Sequence, residues 1–113
     1  MCDKTVLETI TKKICIAAKE VLGGKLEKVV LFGSYARGDY REDSDIDIMI
    51  LADIALEEES KTRRKIRGLM DHIDLEYNVL VCLSVTCSSN FYNWINVLPF
   101  YMNVQKEGVE LYA

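Results

Sequence analysis

Asp45 and Asp47 stand at the head of the apolar run Ile48-Met49-Ile50-Leu51, and Gly33-Ser34 closes an earlier one, Val29-Val30-Leu31-Phe32. Residues two apart on a strand face the same side, so the two carboxylates would sit about 7 Å apart along it. At that spacing they repel unless a positive charge lies between them. A hard divalent cation with oxygen ligands is the usual solution, and Mg²⁺ takes one or two carboxylates plus substrate phosphates. Gly33 lets a bound group approach the backbone, and Ser34 offers a hydroxyl and an N–H to phosphate oxygens. Arg37 adds a planar fork suited to phosphate. The pattern points to phosphate and metal chemistry.

Three other motifs of that chemistry fail on their deciding residues. Gly33-x-x-x-x-Gly38 has P-loop glycine spacing, but Asp39-Tyr40 stands where Lys-Ser/Thr is required. Asp43-x-Asp45-x-Asp47 starts like an EF-hand loop, yet its sixth residue is Ile48 rather than Gly and its twelfth is Ile54 rather than Glu. The dinucleotide fingerprint G-x-G-x-x-G is absent from the chain.

The surrounding pattern predicts the elements that must position these residues. Val6, Leu7, Ile10, Ile14, Ala17, Ala18, Val21 and Leu22 recur at helical steps, with Thr5-x-x-Glu8 a candidate starting box and Gly23-Gly24 the stop. Leu26 to Phe32 is expected as a strand covered on both faces, and Asp45 to Leu51 as a second. Leu56 to about Glu76 reads as one long charged helix with an apolar stripe of Ile66, Leu69, Met70 and Ile73. A third strand is expected at about Tyr77 to Leu83. A turn at Ser88 to Asn90 precedes two short helices, Phe91 to Ile95 and Phe100 to Gln105. Pro99 opens the second of these and Gly108 caps it. The order α-β-β-α-β-α-α implies an α+β or α/β sandwich around a short central sheet.

At 113 residues the chain is expected to form one domain, with half its residues apolar and 28% charged. A net charge of −4 excludes a general nucleic-acid coat, so nucleic acid is not expected as the main partner. No apolar run approaches the roughly 18 residues of a membrane span, and Met1-Cys2-Asp3-Lys4 opens no signal-peptide core, so a cytoplasmic protein is expected. Cys2, Cys15, Cys82 and Cys87 form no C-x-x-C pair, and His72 stands at no metal-ligand spacing from them. They read as buried or incidental thiols. Lys61 to Arg67 follows Glu57-Glu58-Glu59 and reads as a solvated, salt-bridged helix face, with His72 at the surface. Five of the ten aromatics lie between Phe91 and Tyr101. Most are expected to close the core, with some left exposed as a partner surface.

Gly33-Ser34-x10-Asp45-x-Asp47 resembles the signature of the polymerase-β-like nucleotidyltransferase superfamily, and a chance match in this length is on the order of one in a thousand. The fuller string, Gly33-Ser34-x-Ala36-Arg37-Gly38 with Ser44-Asp45-Ile46-Asp47, is similar to the minimal nucleotidyltransferases found beside HEPN proteins in toxin–antitoxin pairs. The resemblance extends to Leu98-Pro99-Phe100-Tyr101 and Glu107-Gly108-Val109-Glu110. It implies an α+β, polymerase-β-like fold with a short mixed sheet packed with helices. It also implies nucleotide binding by Gly33, Ser34 and Arg37, and two Mg²⁺ ions held by Asp45 and Asp47. One ion would orient the triphosphate and the other would activate the attacking hydroxyl. The resemblance further implies a third carboxylate on the next strand, where Glu76-Tyr77-Asn78-Val79-Leu80 places Asn78. An amide can coordinate a metal but cannot act as a base. The implied reaction is transfer of AMP from ATP to a hydroxyl on a HEPN-type partner protein. The alternative is an inactive nucleotide-binding antitoxin that acts by complex formation.

Overall fold

A computed structural model describes residues 4–38 and 45–112. Helix α1, Lys4–Leu22, buries Ile10, Ile14, Ala17, Ala18 and Leu22, the apolar face its spacing predicts. It contains Thr5, so the Thr5–Glu8 pair lies inside the helix and does not box its start. Gly23, at φ +57°, ends it in a conformation that costs glycine nothing. Strand β1, Leu26–Phe32, follows after a short 3-10 turn.

A short helix, α2 (Ser34–Arg37), and the connection beyond it separate β1 from β2, Ile46–Ala52. The two strands pair antiparallel with Phe32 opposite Asp47. β3, Val81–Cys87, lies parallel to β2 on its far side, and β4, Val109–Tyr112, lies antiparallel to β1, giving the order β3-β2-β1-β4. The sheet is therefore mixed, as expected.

Both faces of β2 are covered, which is why its sequence is apolar at successive positions. Ile46, Ile48, Ile50 and Ala52 pack on the α1 side with Ile10, Ile14, Ile66, Met70 and Ile73. Met49 and Leu51 pack on the other side with Val30, Phe91, Ile95 and Val104. Phe91 belongs to α5, Ser88–Trp94, and Val104 to α6, Pro99–Glu107. α5 starts directly at Ser88, where a turn was expected. Phe91 is buried, whereas Tyr92 and Trp94 are exposed, so the aromatic cluster divides between core and surface. Pro99 and Gly108 stand where predicted, at the start of α6 and at its C-cap.

The long helix expected over Leu56 to Glu76 is broken. The structure has a 3-10 turn at Leu56–Glu58, then α3, Glu59–Leu69, and a separate α4, Ile73–Tyr77. Met70 leaves helical geometry at φ −130°, and the turn lets both Met70 and Ile73 enter the core while Leu69 stays exposed. Gly68, a weak helix former, precedes the break. Among the described residues, Glu59 and Arg63 of the predicted acidic–basic ladder make contacts to β3 instead. Glu59 Oε2 accepts from the Cys87 N–H at 2.7 Å, and Arg63 Nε donates to the Leu83 carbonyl at 2.8 Å. These contacts occupy the outer side of an edge strand.

The third strand lies four residues later than its predicted start, so Asn78 is not on it. Tyr77 still belongs to α4, held against α1 by Lys13, whose ammonium donates to the Tyr77 hydroxyl at 2.9 Å and lies 3.7 Å from Glu76. Asn78 follows as the left-handed C-cap at φ 52°, a role asparagine tolerates better than most residues.

Candidate active site

β1 delivers the chain to Gly33, whose φ of +74° turns it sharply into α2. The turn is closed by the Ala36 N–H donating to the Gly33 carbonyl at 3.1 Å. Because Phe32 pairs with Asp47, the glycine arrives directly beside the acidic strand end. A Cβ on Gly33 would overlap Asp47 Oδ2, so this approach is open to glycine alone. Ser34 and Arg37 belong to α2 by backbone; their side chains, and Ser44 with the rest of residues 39–44, lie outside the described structure.

Asp45 is exposed and Asp47 half-buried, just before and within β2. Asp47 shares the alternation of Met49 and Leu51, which places it on the α5–α6 face of the sheet. The parallel partner of Asp47 on β3 is Cys82. Val81, Leu83 and Val85 fill the opposite core, so Cys82 shares the face of the aspartates. Its Sγ lies 3.7 Å from Asp45 Oδ2, with the thiol as donor. Burial pushes this thiol above the ordinary thiol range; Asp45 and Asp47 push the same way, and Arg67 pulls against them. Arg67 is itself tied to Asp74 at 2.6 Å.

Cys82 is thus not buried, although its apolar surroundings in the sequence suggested burial. It is exposed, and it, rather than Asn78, stands on β3 beside Asp47. The alternation Val81-Cys82-Leu83-Ser84-Val85-Thr86, apolar and polar by turns, is the sequence signal for this strand. Asp74 and Glu76 lie on α4, as expected, and His72 is exposed, 3.7 Å from Glu76.

Among the described residues, no three His, Cys, Asp or Glu side chains form a metal-binding group. What is present suits a cation completed by its substrate: two carboxylates at one strand end, with the Gly33 turn in close approach to Asp47. This donor set fits Mg²⁺ bound together with phosphate oxygens. A cleft lined by Val30, Leu51, Phe91, Tyr92 and Val104 lies farther along the same face, among core side chains and away from this chemistry.

A sequence model of the nucleotidyltransferase domain matches residues 13–106. The chain belongs to this family. A Methanocaldococcus jannaschii protein provisionally named a protein adenylyltransferase is 37% identical over 105 residues, 93% of this chain and 97% of that relative. Among solved structures, a toxin–antitoxin complex with AMP-PNP contains a similar chain, with a TM-score of 0.61, 24% identity, and 91% of this chain and 73% of that one covered. A complex of tri-AMPylated Shewanella oneidensis HEPN toxin with MNT antitoxin gives a TM-score of 0.55 at 21% identity, covering 94% of this chain and 71% of that one. These likenesses establish the α+β, polymerase-β-like nucleotidyltransferase fold. Among the described residues of this nucleotidyltransferase, no helix is long and apolar enough to cross a membrane.

Proposed function

We propose that this nucleotidyltransferase moves AMP from ATP onto a hydroxyl of a partner protein, with a HEPN toxin as the partner and Mg²⁺ as the cofactor. The observation that carries the reading is the close approach of Gly33 to Asp47, which brings the turn proposed to cradle phosphate against the carboxylate-bearing strand end. The provisional name of the archaeal relative supports protein adenylylation. The AMPylated toxin in the Shewanella complex supports the HEPN partner. Free Cys15, Cys82 and Cys87 are in keeping with a cytoplasmic setting.

Each residue has a definable task. The backbone at Gly33, with Ser34 and Arg37, holds the triphosphate. Asp45 and Asp47 hold the divalent ions through carboxylate oxygens, and their negative charge fixes where those ions sit. The ions supply charge neutralisation of the triphosphate and a lowered pKa for the acceptor hydroxyl. No acidic side chain stands beside Asp47 on β3, so a positioned general base is missing from that strand. Such a base is typically worth about 10²–10⁴-fold in rate. This second feature favours a slow enzyme, and at its limit an antitoxin that binds nucleotide and acts by complex formation.

Incubation with Mg²⁺, each labelled nucleoside triphosphate in turn and a candidate HEPN partner protein tests the reading. Label from ATP should appear on the partner and should disappear with Asp45→Asn plus Asp47→Asn. Complex formation without transfer, under conditions where ATP binds, would favour the binding role.

A further inference from the structure

We infer that Cys82 holds the third place of the carboxylate site, and that its uncharged side chain leaves Asp45 and Asp47 as the site's carboxylates among the described residues, so that divalent ions are retained only together with nucleotide. The inference rests on the proposed nucleotidyl-transfer site and specifies its metal requirement. Cys82 is the register partner of Asp47, shares its face of the sheet, and lies within hydrogen-bond reach of Asp45. A side chain at this position reaches the same space as the two carboxylates. An aspartate there would give three negative charges around one point; the thiol gives two. With two carboxylates, phosphate oxygens must complete the shell of a hard ion.

The test is Mn²⁺ binding by the full chain, with and without a non-hydrolysable ATP analogue, followed by electron paramagnetic resonance. Wild type should bind Mn²⁺ weakly alone and more tightly with the analogue. Cys82→Asp should tighten nucleotide-free binding by roughly tenfold or more, a conservative share of the effect of a unit charge about 4 Å away. Cys82→Ser should leave it within about twofold, since it adds no charge. Asn78→Asp should also leave it unchanged, because Asn78 caps α4 and is off the strand. Nucleotide-dependent Mn²⁺ binding that is indifferent to Cys82→Asp, or that responds to Asn78→Asp instead, overturns this inference and leaves the proposed function standing. Absence of Mn²⁺ binding in every variant, even with the analogue, overturns both.

A second measurement needs no substitution. Maleimide labelling of Cys82, located by mass spectrometry, should slow when Mn²⁺ and the analogue occupy the site. Under conditions where both bind, a labelling rate unaffected by them would place the thiol away from the metal and overturn the inference.

Discussion

Gly33 and Asp47 approach so closely that a methyl group on the glycine would overlap the aspartate Oδ2. The antiparallel pairing of β1 with β2 creates this contact, and the left-handed turn at Gly33 directs the chain away from it. Gly33→Ala therefore meets two obstacles. The left-handed backbone alone should cost about 1–2 kcal/mol, and the displaced Asp47 carboxylate should lower metal-dependent ATP binding as well. Urea denaturation and calorimetry on the same variant would check both effects.

Gly108 is a glycine for a different reason. Its φ of −68° is ordinary, but a Cβ there would run into the Val104 carbonyl and Val30 Cγ1. It closes α6 by donating its N–H to that carbonyl at 2.8 Å, and the chain then enters β4. Gly108→Ala should destabilise the fold by about 1–3 kcal/mol through overpacking. Val109 pairs with Leu31, so Gly108 stands at the Gly33 end of β1, and calorimetry on the folded variant should also show weakened nucleotide binding.

Arg67 and Asp74 join the end of α3 to α4 at 2.6 Å, with Arg67 Nη1 and Asp74 Oδ1 buried and unpartnered. Arg67→Ala leaves Asp74 without its cation and should cost about 1–3 kcal/mol, the penalty for a buried acceptor left unsatisfied. Hydrogen exchange should report the loss first in residues 70–80, the segment this pair holds in place.

The Cys82 thiol lies above the ordinary thiol range because burial and the fields of Asp45 and Asp47 disfavour the thiolate. In metal-free buffer with chelator, its alkylation should be slower than that of free cysteine at neutral pH and should rise as pH increases. Asp45→Asn removes one of those fields and should speed alkylation at a given pH. Rates followed by mass spectrometry would check the sign.

Much of this arrangement was legible in the sequence, for identifiable reasons. β1 is bounded by glycines and apolar at four consecutive positions, so its limits, Leu26 and Phe32, could be read directly. The aspartates at the head of the next apolar run pointed to metal chemistry only because strand alternation places them on one face. The region from Met70 to Leu80 was not legible, since its helical and strand-like residues are mixed. Tyr77-Asn78-Val79-Leu80 has strand composition, yet Lys13 holds Tyr77 in a helix and Asn78 turns left-handed to end it. That shift concealed the position of Cys82. β4 was missed because Val109-Glu110-Leu111-Tyr112 is short, and its strand character comes from pairing with β1.

The central claim is that Asp45 and Asp47 hold the cation through which ATP binds. Calorimetry of ATP binding, with Mg²⁺ and with chelator, tests it most directly. Wild type should bind ATP with Mg²⁺ and lose most of that affinity without it, because triphosphate and carboxylates repel. Asp45→Asn plus Asp47→Asn, at a strand end and not in the core, should stay folded and lose most of the Mg²⁺-dependent affinity. An unchanged Mg²⁺-dependent affinity in that folded double variant would contradict the assignment of the site.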